Sequence, residues 1–96
     1  MFGKQKMSFK EKVLTITQKI PKGKVMSYKE VAQLAGSPRA WRAVGNILNK
    51  NRNPKIPCHR VIRSNFKIGG YKNGAKKKIT LLKKEGIKIR NNKVIS

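Results

Sequence analysis

A single cysteine, Cys58, stands in the segment Pro57-Cys58-His59-Arg60-Val61 of a 96-residue chain. Cysteine attacks as the thiolate, and its ordinary pKa of about 8.5 falls in electropositive surroundings. Positive charge is abundant here: 25 Lys and Arg face three carboxylates, for a formal charge of +22. His59, the next residue, is suited to general-base action on a thiol. Neighbouring residues of an extended chain point to opposite faces, so contact between Cys58 and His59 needs a turn or a bridging water. Taken alone, the pair is a weak signal, because a lone cysteine is more often a small buried hydrophobe.

The three carboxylates sharpen it. Glu11 and Glu30 have local explanations as capping-box partners of Ser8 and Ser27. Glu85 has none of that kind. It falls at the predicted C-terminal end of a helix, where the helix dipole disfavours negative charge. One explanation is that it orients and polarises His59, making Cys58, His59 and Glu85 a nucleophile, base and orienter. The other is that it eases repulsion among Lys83, Lys84 and Lys88. One Cys and one His give neither an internal disulfide nor a closed zinc site, and neither metal nor cofactor is expected.

The elements that must position these groups are mostly helical. The capping box Ser8-Phe9-Lys10-Glu11 opens a first helix with Phe9, Val13, Ile16 and Ile20 at helical spacing, stopped by Pro21 and Gly23. A second box, Ser27-Tyr28-Lys29-Glu30, opens a short helix with Val31, Leu34 and Ala35 inward, stopped by Gly36. Ser37 and Pro38 read as the N-cap and first residue of a third helix, with Ala40, Trp41, Val44 and Leu48 buried behind them. Trp41 is read as a core residue in preference to a base-stacking one. Two helices joined by a tight Gly-containing turn make a helix-turn-helix unit, and the first helix supplies its third wall.

Residues 49–57 read as a loop with two prolines, and residues 60–71 as extended chain around a turn at Ser64-Asn65, a hairpin that would form a wing. A last helix is expected over residues 75–84, with Ile79 and Leu82 inward and Gly86 as its stop; residues 87–95 are a short strand or a basic tail. The expectation is a mainly α fold with a small β wing, a winged helix-turn-helix in a single domain over residues 1–96, with residues 1–7 a flexible basic N-terminus. So large a positive excess seeks a polyanion, and nucleic acid is the usual one. No apolar run approaches membrane-spanning length and the first residues lack a secretory hydrophobic stretch, so an intracellular protein is expected, in cytoplasm or nucleoid if prokaryotic.

PCHRV at residues 57–61, preceded by Arg42-Ala43-Val44-Gly45 and followed by Gly70-Tyr71, resembles the O6-alkylguanine-DNA alkyltransferase family. The likeness spans residues 8–88 and includes the stretch SYKEVAQLAGSPRAWRAVGN, the turn GYKNG and the helix end LLKKEG, in order and at the right spacings. It implies transfer of an alkyl group from O6-alkylguanine in double-stranded DNA, irreversibly, to Cys58. It implies that His59 deprotonates the cysteine through a water, that Glu85 supports His59, and that Asn51 braces the active-site turn. Tyr28 matches a tyrosine that helps rotate the damaged nucleotide and protonates the leaving guanine. Arg42 matches an arginine finger that fills the gap left by the extruded base. Ser27, Arg39 and Ala43 join Tyr28 and Arg42 as the expected DNA-contacting residues, in the minor groove. Pro57, Tyr71, Lys72 and Lys78 are the expected lining of the alkylguanine pocket.

Three departures qualify the resemblance. Many members carry a further N-terminal domain, for which this chain is expected to have no room. Alkyltransferase-like relatives of similar length usually have tryptophan at the cysteine position and bind alkylated DNA without repairing it; this chain has their length but keeps the nucleophile. The loop before PCHR is about one residue short, and Lys72 replaces a smaller residue. A monomer is expected, since one lesion consumes one molecule.

Overall fold

A computed structural model of the chain describes residues 7–69 and 74–95. The N-terminal segment, Met7 apart, and the pocket residues Tyr71 and Lys72 lie outside the described residues.

Helix α1 (Phe9–Gln18) begins at a complete capping box: the Ser8 hydroxyl accepts from the Glu11 N–H, and the Glu11 carboxylate accepts from the Ser8 N–H. Ser27 and Glu30 repeat the arrangement at the start of α2 (Tyr28–Leu34). Each such cap is worth about 1 kcal/mol. Helix α3 spans Trp41–Lys50, a 3-10 turn spans Cys58–Arg60, and α4 spans Ala75–Lys84. Strand β1 (Met26–Ser27) pairs in parallel with β2 (Val61–Ile62), which ties the start of α2 to the end of the cysteine segment. Strands β3 (Lys88–Arg90) and β4 (Lys93–Ile95) form an antiparallel hairpin.

Two apolar clusters hold these elements. The larger joins Val13 and Ile20, Val31, Ala32 and Ala35, Val44 and Leu48 with Ile56, Cys58 and Val61. The smaller has Ile62, Ile68 and Leu82 at its centre, with Val25, Ile79, Ile87, Ile89 and Val94 partly buried around it. Burying one such aliphatic side chain contributes about 1.5–3 kcal/mol. The chain between Val61 and Ile62 therefore passes from one cluster into the other. No helix among the described residues is long and apolar enough to cross a membrane.

Four expectations need correction. Leu34 is 63% exposed, and Ala32 takes its place inside; α2 is seven residues long, too short for spacing to fix which face turns inward. Helix α3 starts at Trp41, not Pro38, because Ser37 is used in a separate turn: its carbonyl accepts from the Ala40 N–H, and helical bonding begins with Val44 to Ala40. Trp41 consequently stands on the first turn, 43% exposed, and is not core. The regular hairpin is C-terminal. The turn at Ser64-Asn65 does form, closed by Arg63 N–H to Lys67 O, but its two arms part. β2 joins β1, while residues 66–68 run beside β4, with Val94 donating to Phe66 O and Ile68 to Asn92 O. Asn91 and Asn92 both have positive φ, the conformation of a two-residue turn whose twist matches that of the flanking strands.

Candidate functional site

Cys58 opens the 3-10 turn and is 4% exposed, packed on the α1–α3 cluster. The turn forms because Pro57 fixes the entering chain, Cys58 N–H bonds Ile56 O, and Arg60 N–H bonds Pro57 O. In a 3-10 turn successive side chains project about 120° apart, so Cys58 and His59 are not on opposite faces as extended chain would place them. Asn51, at the end of α3, directs its side-chain amide at the thiol: Nδ2 donates to Cys58 Sγ at 3.2 Å and to Asn53 O at 3.0 Å, while Oδ1 accepts from Asn53 N–H.

His59 and Glu85 meet, with Nε2 and Oε2 2.9 Å apart and both side chains 12% exposed. Glu85 is the C-cap of α4. Arg60 completes the group. Its Nε donates to Glu85 Oε1 at 2.9 Å, its Nη2 to Oε2 at 2.7 Å, and its Nη1 to Ile20 O at 2.7 Å. The bidentate Arg60 guanidinium, with His59 assisting against the cost of burial, holds the Glu85 carboxyl down at about 2. An anionic Glu85 accepts a hydrogen bond from Nε2–H, the arrangement in which Nδ1 is the ring nitrogen left for other partners. Arg60 was not singled out from the sequence, where it is one of 25 basic residues. The clue available was its place beside His59 in a chain with one unexplained acid.

On the other side lie Tyr28 and Lys78. Lys78 is fully buried on α4, and its Nζ donates to Val61 O at 2.6 Å and to the Tyr28 hydroxyl at 3.3 Å. The ammonium is also 5.4 Å from the centre of the Tyr28 ring. Burial lowers its pKa to about 8, against a smaller opposing effect of Cys58. Burial raises the pKa of Tyr28, Cys58 adds to the rise, and Arg63 opposes it. Gly69 packs beside this ring in a backbone conformation that L side chains rarely adopt. A Cβ on Gly69, whose φ is +75°, would sit 3.4 Å from Tyr28 Cε2 and 3.1 Å from Arg63 Cγ.

Cys58, Asn51, His59 and Glu85 thus come together, and Tyr28 and Lys78 share the electrostatic surroundings of the thiol. Pro57 adjoins them and is partly buried. Tyr28 is also one of the expected DNA-contacting residues; the others lie outside this constellation. Ser27 is engaged as the α2 cap, Ala43 is half-buried, and Arg39 and Arg42 are exposed around the start of α3. The Arg42 guanidinium lies 5.1 Å from the centre of the Trp41 ring.

The sequence model described as "6-O-methylguanine DNA methyltransferase, DNA binding domain" matches residues 8–87. The chain belongs to this family. A methylated-DNA–protein-cysteine methyltransferase of Saccharolobus islandicus is 52% identical over 82 residues, 84% of this chain and 52% of the relative. The chain spans about half the length of the curated relatives it matches. Among solved structures, Mycobacterium tuberculosis OGT in complex with DNA superposes with a TM-score of 0.78 at 37% identity, covering 85% of this chain and 51% of that one. S. pombe Atl1, in complex with damaged DNA containing O6-carboxymethylguanine, gives 0.77 at 33% identity, covering 85% and 79%. Four helices with a small β wing are the arrangement the chain shares with both neighbours.

Proposed function

We propose that this chain binds double-stranded DNA through the minor groove, turns an O6-alkylguanine out of the stack, and takes its alkyl group irreversibly onto Cys58. The observation that carries the reading is the thiol itself: Cys58 faces the Asn51 amide at 3.2 Å and is followed by a histidine locked to an anionic glutamate. Proton and electron flow are simple. His59 Nδ1 takes the thiol proton through a water, and the thiolate attacks the alkyl carbon in a single displacement. A C–S bond forms as the bond from that carbon to O6 breaks. The electron pair goes to the guanine, which gains a proton from the Tyr28 hydroxyl, itself recharged from Lys78 or solvent. The thioether has no easy leaving group, so one molecule removes one alkyl group.

The base is inaccessible inside the duplex, and extrusion costs a few kcal/mol. Arg42, on the exposed start of α3, is placed in this reading as the group that fills the vacated space, with Arg39, Ser27 and Ala43 along the groove and Pro57, Lys78, Tyr71 and Lys72 about the extruded base. The likeness to the lesion-bound Atl1 favours a second reading, in which the chain holds the lesion without reacting.

One experiment separates them. Intact-protein mass is measured after incubation with a duplex containing O6-methylguanine. A gain of one CH2, located on the Cys58 peptide and absent in Cys58→Ser, is expected. Tight, lesion-preferring binding with unchanged mass in fully reduced protein overturns transfer and leaves the sensor.

A further inference from the structure

The start of α3 carries an aromatic side chain that the chemistry at Cys58 does not use. Trp41 is 43% exposed, while Val44 and Leu48 of the same helix are buried. A single exposed apolar residue is ordinary; the setting of this one is not. Trp41 walls a cavity of about 350 Å³ together with Tyr28, Lys29, Arg63, Ser64 and Asn65. Arg42 lies over its ring. The lining is thus two aromatic rings, two cations and short hydrogen-bonding side chains, with no carboxylate.

That combination selects its ligand. A free anion has no use for the rings, and an apolar ligand has no use for the cations. A flat aromatic heterocycle tethered to phosphates uses both, as in single-stranded nucleic-acid sites where bases stack on aromatic side chains within a basic groove. The cavity also shares Tyr28 with the surroundings of the thiol, so a nucleotide here neighbours one delivered to Cys58.

We infer that Trp41 is a base-stacking platform, taking a nucleobase that flanks the extruded nucleotide while Lys29 and Arg63 hold the adjoining phosphates. In the chain without DNA Arg42 lies over one face of the indole, and the base takes the other. The inference rests on the DNA-binding reading above and adds a contact that the transfer step does not require.

Trp41 is the chain's single tryptophan, so its emission reports this site alone. Protein carrying Cys58→Ser, which leaves the lesion unreacted, is titrated with an O6-methylguanine duplex while tryptophan emission and the anisotropy of labelled DNA are followed together. Heparin, a polyanion without bases, is titrated in parallel. DNA is expected to quench the emission strongly and heparin to leave it nearly unchanged. W41A should weaken DNA binding roughly five- to a hundredfold, the loss expected for one base–aromatic stack. The salt dependence should stay the same, because no charge is removed, and W41F should recover most of the affinity. Trp41 belongs to neither apolar cluster, so thermal melting followed by circular dichroism should be nearly the same for all three proteins. DNA that binds by anisotropy without quenching, equal quenching by heparin, or wild-type affinity in a folded W41A overturns the platform while leaving DNA binding intact. No change in anisotropy overturns the DNA-binding reading, and the platform with it.

Discussion

The two sides of the cysteine segment are built differently. On the side of α1, α2 and α3, Cys58 and Val61 close an apolar cluster whose first two helices start at complete capping boxes. On the side of α4 and the C-terminal hairpin, the fully buried apolar centre is three residues, and charged side chains of α4 link it to the cysteine segment: Lys78 donates to Val61 O, and Glu85 meets His59 and accepts from Arg60. Packing positions the sulfur, and charge from α4 positions the groups around it. Apolar packing is non-directional, whereas a bidentate carboxylate fixes both orientation and protonation state. In the proposed transfer His59 presents one particular nitrogen, and only the second kind of support selects it. Arg60 joins the two sides directly, gripping Glu85 of one and the Ile20 carbonyl of the other.

The largest break in this arrangement should come from Glu85→Gln, which keeps the shape and removes the charge. Its folded pKa of about 2 lies below the unfolded 4.5. Stability from this group is therefore fully present above about pH 4.5 and lost as pH falls from there towards 2, a loss of about 3 kcal/mol. Urea unfolding between pH 7 and pH 2.5 should show that decline in wild type and little of it in the variant. At pH 7 the variant should be less stable by about 3 kcal/mol, because Arg60 is left partly buried without its anion. Alkyl transfer should slow by about 10²-fold or more as His59 loses its fixed tautomer. Equal acid slopes in the two proteins would refute the role given to Glu85.

That part of the centre was legible because of scarcity. In a chain with three carboxylates, two of them in capping boxes, the third stood out, and one cysteine beside one histidine did too. Helix α4 was also readable, its apolar spacing and Gly86 stop matching Ala75–Lys84. What could not be read fails for the opposite reason, abundance or ambiguity. Arg60 is one among 25 cations, and nothing in composition marks it as the bidentate one; Lys78 is named only through the family resemblance, and nothing in composition marks it as buried. Ser37-Pro38 satisfies the rules for a helix start, yet the chain spends that serine on a turn, and this moves Trp41 to the surface. The hairpin turn is Asn91-Asn92, without the glycine that usually announces such a turn. The arms of the Ser64-Asn65 turn find partners distant in sequence, which local patterns do not specify.

Lys78 tests the ionic side at the opposite end of the pH scale. Its pKa is about 8 in the folded chain and 10.5 unfolded, so the unfolded state binds more protons between those values. Stability should therefore rise with pH across that window, as the cost of burying the charged ammonium disappears. Lys78→Met removes the titration. The wild-type-minus-variant difference in unfolding free energy should move in favour of wild type by about 1–3 kcal/mol between pH 7.5 and 10.5, with other lysines and Tyr28 cancelling to first order. A difference that stays constant would mean that Lys78 is charged throughout, balanced by its hydrogen bonds to Val61 O and Tyr28.

The smallest effect sharpens the contrast between the two apolar clusters. Ile89 is half-buried on β3 and packs on the smaller one, while Val44 is fully buried at the centre of the larger. Ile89→Ala should cost about 1 kcal/mol, well under the 2–5 kcal/mol of a fully buried isoleucine. Its consequences should also be local. Amide exchange should quicken in β3, β4 and residues 66–68, which share hydrogen bonds, while α2 and α3 keep their wild-type protection. Val44→Ala should instead lower protection throughout α1, α2 and α3 and around Cys58, because that cluster opens only as a whole. If Ile89→Ala quickened exchange equally in α2 and α3, the two clusters would unfold as one unit, and Arg60 would be a brace inside a single core instead of a link between two.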